Sequence, residues 1–229
     1  MTKQKVIFWD WDNTLVDTFG AIWLAQNDMR VHFGLPTWSK EDAKLAMNKS
    51  GKNLIRDLFG ADKADEARAY YLQCYTERSK NLHLKEGAAA ILDYAKSLGF
   101  INILASNKAT EILRAEVERF GLAKSFDKLT GAGTAKEDKP SKVFTDTALE
   151  GFDPELIISI GDGASDVRMG HNYKNGRSIL LFTSVQSPEF KDNQPDYAAS
   201  DFATCQRILT SLANNAVHQP DKKATQAER

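Results

Sequence analysis

Four short apolar runs constrain this chain more than any other feature: Val6–Trp9, Ile101–Ala105, Leu156–Ile160 and Ile179–Phe182. Each is too short for a helix, lacks polar alternation and gives way to polar or glycine punctuation. Runs of this kind belong to strands buried on both faces, and a parallel sheet covered by helices buries both. A weaker run around Lys128–Thr130 fits a further strand. Between the runs lie helix-like stretches. Ala88–Leu98 is followed by Gly99 and Ala109–Phe120 by Gly121, each glycine standing where a left-handed cap is wanted. Asp201–Leu212 reads as a last helix. Strands alternating with helices predict an α/β fold with helices on both faces of the sheet.

The stretch from about Asp17 to Leu84 breaks this rhythm. It reads as helices over Phe19–Phe33, Glu41–Met47, Asn53–Phe59 and Asp62–Leu82, with Ser39-Lys40-Glu41-Asp42 resembling a capping box. A helical block after the first strand predicts an inserted domain over 17–84, with crossing points near Asp17 and Lys85-Glu86-Gly87 acting as hinges. The sheet domain is then discontinuous, 1–16 and 85–213, and the polar residues 214–229 read as a disordered tail.

The balance of 30 Lys plus Arg against 31 Asp plus Glu leaves a net charge of −1. No global field favours nucleic acid or an anionic membrane, so an anionic ligand must be held by local groups. No basic stripe with interleaved aromatics tracks a nucleic-acid backbone. Two cysteines, Cys74 and Cys205, make neither a disulfide framework nor a zinc site. The four apolar residues before Asp10 are too few for a signal core or a membrane span. The expectation is a reducing, cytoplasmic setting.

Four segments carry chemistry. The first run ends in Asp10-Trp11-Asp12-Asn13-Thr14, where open α/β sheets bind ligands. Two carboxylates there can divide labour, one attacking phosphorus and the other moving the proton; a solvated acidic turn fits Asp-x-Asp alone equally well. Ser106-Asn107-Lys108 follows the second run and reads as the opening of a helix, whose N–H groups suit a phosphate, although an ordinary cap reads the same way. Asp138-Lys139-Pro140-Ser141-Lys142 places a lysine before a proline at a helix start, extended and with its ammonium free; a solvated lysine is the plainer alternative. Ile160-Gly161-Asp162-Gly163-Ala164-Ser165-Asp166 is an acidic loop after a buried strand, and Asp10 with Asp162 offers the hard oxygens that magnesium prefers.

In this order, the four segments resemble the motif series of the haloacid dehalogenase superfamily of phosphohydrolases, over nearly the whole chain except the tail. The helical insert is similar to the cap of the subgroup containing phosphoglycolate phosphatase and β-phosphoglucomutase. The resemblance implies a Rossmann-like core with an all-helical cap, Mg2+ as cofactor, and a small phosphorylated metabolite as substrate, handled by a monomer or homodimer. It implies Asp10 as nucleophile and metal ligand, and Asp12 as general acid/base that also lends its backbone carbonyl to the metal. Thr14 would brace the loop, Ser106, Asn107 and Lys139 would hold the phosphoryl oxygens, Asp162 would be the outer metal carboxylate, and Asp166 would support the metal or orient Lys139.

The chain departs from the commonest family pattern at Asn13, where glycine is frequent, at Trp9 and Trp11, and at Glu86 in place of a hinge proline. Asp12 argues against halide displacement, whose leaving group needs no proton. A phosphomutase remains the alternative reading, dependent on whether the basic stretch Asn48–Lys52 reads a substrate. A non-catalytic binding protein would show eroded acidic motifs, and these are intact.

Overall fold

The computed structural model describes residues 4–46, 51–183 and 188–217. Its centre is a six-stranded, wholly parallel sheet: β1 (Gln4–Trp9), β2 (Phe100–Ala109), β3 (Lys128–Ala132), β4 (Pro154–Gly161), β5 (Gly176–Leu181) and β6 (Tyr197–Ala199). The order is β3-β2-β1-β4-β5-β6, so the chain reverses its direction of travel across the sheet between β1 and β4. The helices α4 (Ala88–Ser97), α5 (Thr110–Arg119), α6 (Lys142–Leu149), α7 (Ala164–Gly170) and α8 (Phe202–Val217) complete an α/β Rossmann-like core.

The apolar runs form the strands expected of them, because each side chain has a covered face to point to. Val6 and Phe8 enter one core cluster with Phe144 and Ile157, while Ile7 and Trp9 enter the other with Ile91, Ile158 and Leu209. Burying each such side chain stabilises by about 1.5–3 kcal/mol. One of the departures noted in the sequence is explained by pairing. Trp9 is fully buried and donates its indole N–H to Asn102 Oδ1 at 3.0 Å, while the Asn102 amide donates to Leu92 O and Ser125 O. Without that pairing a buried amide would cost about 1–3 kcal/mol. Gly99 and Gly121 adopt φ of 78° and 70° at the ends of α4 and α5, as their helix-end positions predict.

Three features escaped the sequence pattern. The strand β6 is three residues long with two exposed, too short for any periodicity to register. Residues Ser106 and Asn107 continue β2 instead of opening a helix, and α5 begins only at Thr110. The continuation pairs Ala109 with Ala132 after a register shift, and Gly131 permits it, since a Cβ there would stand 2.9 Å from Lys108 O. The last helix also runs on to Val217, past Asn214.

Between β1 and β2 lie α1 (Phe19–His32), α2 (Lys40–Ala46) and α3 (Gly51–Arg78), the last broken at Gly60, whose φ of 73° and ψ of 171° separate two helical halves. The sequence signal at Ser39 is realised at the start of α2: Asp42 N donates to Ser39 Oγ at 3.1 Å and Ser39 N to Asp42 Oδ2 at 3.4 Å. Helices α1 and α3 pack together around Met29, Ile55 and Ala67, but Ile22, Ala25 and Tyr75 also join the larger cluster that covers the sheet. Where the chain leaves and re-enters the sheet region the two passes are tied, Asp17 N to His83 O at 3.1 Å and Lys85 N to Leu15 O at 2.9 Å. Residues Asn48, Lys49 and Ser50 lie outside the described residues, and the side chains of Gly51–Asn53 are likewise outside them.

Candidate active site

Strand register assembles the site. Trp9 pairs with Leu104 on one side and Ile160 on the other, so the residues that follow, Asp10, Ser106 and Asp162, emerge together at the carboxyl edge of the sheet. This edge lies at the reversal of strand order, the crevice where open α/β sheets hold ligands. A cavity of about 790 Å³ opens over it, walled by Asp10, Asp12 and Asp162 below and by Ile22, Leu54 and Tyr71 of the helical insert above. Gln26 also faces the cavity, with its buried side-chain oxygen left without a hydrogen-bond partner.

The loop after β1 turns sharply at Asn13, whose φ is 59°. Asparagine is among the few side chains that tolerate this left-handed conformation, which accounts for its standing where glycine is frequent. Asp10 is buried. Its Oδ2 accepts from Thr14 Oγ1 at 3.0 Å and its Oδ1 from Lys139 Nζ at 2.6 Å. Thr14 Oγ1 also lies 3.4 Å from Asp162 Oδ1, so it spans the two carboxylates.

Lys139 sits in the loop before α6, three residues ahead of the helix rather than at its start, and its ammonium is not free. It donates to Asp10, to Ala105 O at 2.9 Å and to Asp166 Oδ1 at 2.8 Å. Asn107 holds the lysine from behind: its Oδ1 accepts from Lys139 N at 2.8 Å and its Nδ2 donates to Lys139 O at 3.2 Å. Ser106 is buried, with Oγ accepting from Lys108 N at 3.1 Å. Asp166 spends its second oxygen on Gly163 N at 3.2 Å. Gly161 makes room for that carboxylate, since a Cβ there would lie 2.2 Å from it.

Asp10, Asp162 and Asp166 bring oxygens within 4.8 Å of one another, facing one ammonium. Burial pushes the Asp10 carboxyl up to about 7, with Lys139 pulling the other way and Asp166 and Asp12 adding to the rise. Burial, then the charges of Asp10 and Asp166, hold Asp162 well above the ordinary carboxylate range. Burial also works against the Lys139 ammonium, but Asp10 and Asp166 outweigh it and raise its pKa. Three acids, Asp10 and Asp166 buried and Asp162 half-buried, thus crowd around one buried cation. The donor set is all oxygen and short of positive charge, which fits a small hard divalent cation. Asp162 is the freest to hold it, its carboxylate accepting only the 3.4 Å contact from Thr14, whereas both oxygens of Asp10 and of Asp166 are already engaged.

Asp12 faces a second cluster that the sequence did not reveal. Lys108 Nζ lies 2.7 Å from Asp12 Oδ1 and 2.8 Å from Glu116 Oε2, and donates to Tyr75 Oη at 2.6 Å. The contact to Asp12 is an ion pair without hydrogen-bond geometry, so Oδ1 remains without a hydrogen bond. Glu116 further accepts from Trp11 Nε1 at 2.6 Å and from Tyr75 Oη at 2.8 Å. The one sequence signal for this cluster was available on α5, where Leu113, Glu116 and Val117 form the buried stripe with a carboxylate in its middle.

Residues 6–176 match the model of the haloacid dehalogenase-like hydrolase family. A phosphoglycolate phosphatase of Nitrosococcus oceani is 24% identical over 93% of this chain and 100% of its own. One of Aquifex aeolicus is 26% identical over 84% of this chain and 93% of its own. A solved haloacid dehalogenase-like hydrolase of Streptococcus pneumoniae superposes with a TM-score of 0.74 at 21% identity, covering 93% of this chain and all of that one.

Proposed function

Because this chain belongs to the haloacid dehalogenase-like hydrolases, we propose that it is a magnesium-dependent phosphatase of a small phosphomonoester, acting through an aspartyl-phosphate on Asp10. The observation that carries this reading is the convergence of Asp10, Lys139 and Asp162 on one crevice, with a second carboxylate, Asp12, two residues from the first. Phosphoryl transfer asks a protein mainly for position and charge stabilisation. Lys139, held 2.6 Å from Asp10, places a cation where the phosphoryl group becomes attached. Thr14 and Asn107 fix the nucleophile and that lysine respectively. Asp10 and Asp162 would hold magnesium, whose chemistry there would be to offset the charge of the phosphoryl oxygens. Asp12 gives a proton to the departing alkoxide and takes one from the water that cleaves the phosphoenzyme. Ser106 at the cavity floor donates to a phosphoryl oxygen. Asp166, engaged with Lys139 and Gly163, orients the lysine.

The helical insert, 17–84, serves in this reading as the cap. Its apolar wall of Ile22 and Leu54, with Tyr71 and Gln26, selects the organic part of the substrate and keeps bulk water from the phosphoenzyme. The relatives named phosphoglycolate phosphatase make phosphoglycolate the first compound to try. The residues on which a phosphomutase reading turns, Asn48–Lys52, have no described side chains. Among the described residues no helix is long and apolar enough to cross a membrane. Cys74 and Cys205 are both free thiols, in keeping with a cytoplasmic enzyme.

The test is inorganic phosphate release from a panel of phosphomonoesters with magnesium: phosphoglycolate, sugar phosphates and nucleoside monophosphates. Strong release from one of them is expected. A folded, magnesium-loaded protein that releases phosphate from none would overturn the reading.

A further inference from the structure

We propose that Lys108 is a positioning residue for Asp12, anchored on Glu116 and Tyr75, so that the placement of the general acid depends on the helical insert being seated. The proposal rests on the phosphatase reading above and goes beyond it.

A lysine at the edge of an anionic-ligand cavity invites the simpler view that it binds the phosphate. The geometry points elsewhere. An ammonium has three N–H groups; two are spent on Glu116 Oε2 at 2.8 Å and Tyr75 Oη at 2.6 Å, and the charge lies 2.7 Å from Asp12. The side chains of Lys108 and Glu116 are 6% and 5% exposed, so this is a buried strut rather than a solvated arm. Desolvated charges persist only when every partner is supplied. The partners here come from four places in the chain: Asp12 and Trp11 from the loop after β1, Lys108 from the end of β2, Glu116 from α5, and Tyr75 from α3 of the insert.

Trp11 ties the same carboxylate to the backbone next to Asp12, through a bond of 2.6 Å. The general acid is thus held twice, by its neighbour's indole and by the lysine's charge. Both holds act on the inner side of the residue: Oδ1 is shut off from solvent against the lysine, while the side chain as a whole stays 21% exposed and lines the cavity, so the carboxylate meets a ligand through its other oxygen. Tyr75 is the member contributed by the insert. Burial, then the charges of Asp12 and Glu116, raise its phenol far above the ordinary range, so it stays a neutral donor to Glu116. If the insert lifts, Glu116 and Lys108 each lose a partner, and Lys108 is drawn toward Glu116 and away from Asp12.

The experiment compares kcat/KM for an alkyl phosphomonoester turned over by the wild type with kcat/KM for p-nitrophenyl phosphate. An alkoxide needs a proton to leave and nitrophenolate scarcely does, so misplacing the acid separates the two. Lys108→Met is expected to lower the alkyl value by about 10²-fold, carried by kcat, and the aryl value by much less. Lys108→Arg should recover part of the difference, and Tyr75→Phe should show the same bias at a few-fold. Equal losses on both substrates, a loss carried by KM, or no loss would each overturn the proposal. Should Lys108→Met not fold, the Arg and Phe variants decide by the same ratio. Asp12→Asn separates the two levels of inference. If it shows the bias and the Lys108 variants do not, the strut is wrong; if it shows none, the role of Asp12 is wrong and the strut falls with it.

Discussion

The two aspartates of the loop after β1 stand one residue apart, yet they face opposite environments. Asp10 looks into a cluster built wholly from the carboxyl edge of the sheet, three acids against Lys139. Asp12 looks into a cluster closed by a tyrosine of the helical insert, two acids against Lys108 with Trp11 and Tyr75 adding donors. The first is electrically unfinished and calls for a cation. The second is nearly complete with side chains alone. In the proposed reading, one loop thereby supplies a nucleophile whose surroundings ask for a metal and an acid whose carboxylate already faces a lysine. Environments, not residue types, separate the two roles.

The contrast breaks most visibly at Asp10. Asp10→Asn should remove turnover by about 10⁴-fold or more, the order reached when a covalent nucleophile is deleted, with an unchanged circular dichroism spectrum. Substantial residual phosphate release would sink the nucleophile assignment. Asp162→Asn comes next. Titration of activity with magnesium should show half-saturation moved upward by at least about 10-fold, the loss already seen on disturbing a supporting group, and chelation should silence the wild type. Asp12→Asn should leave magnesium half-saturation where it was; movement there would erase the distinction between the clusters.

A smaller effect follows from the raised Asp10 carboxyl, at about 7 against an ordinary 3.8. The metal-free folded state then binds a proton that the unfolded state has already released. That contribution to stability is complete below about 4 and is lost as pH rises through about 7. Thermal melts of metal-free protein should therefore fall over this window, and magnesium should flatten the fall by taking the proton's place. A metal-free melting temperature that climbs from pH 4 to 7 would contradict the charge imbalance. The smallest change is expected at the turn between the two aspartates. Asn13→Ala should cost about 1 kcal/mol for a left-handed residue without a tolerant side chain, seen as about 2–4 °C, while Asn13→Gly should lie near zero.

Much of this was legible beforehand. Uninterrupted apolar runs identify strands buried on both faces, and Gly99 and Gly121 close their helices with the positive φ that only glycine takes easily. The break within α3 was visible as two helical stretches, and it falls at Gly60. Ser106 and Asn107 extend β2, where the local pattern fits a helix opening, because the end of the strand is held by pairing to β3, a contact between segments more than twenty residues apart. The strut was invisible for a related reason. Lys108, Glu116 and Tyr75 are ordinary residues in their own segments, and only Glu116 on an apolar stripe was out of place.

By itself, then, the order of residues determined the sheet, its insert and the set of groups at the strand ends, because periodicity and the short reach of a turn are local properties of a chain. Tertiary structure decided how those groups are shared. Register set Asp10 beside Asp162, and packing set Lys139 among three carboxylates and Lys108 against Asp12. The reason is physical. Charge and burial act through space at a few ångströms, and two lysines of the same charge differ entirely once each is closed in with its own acids.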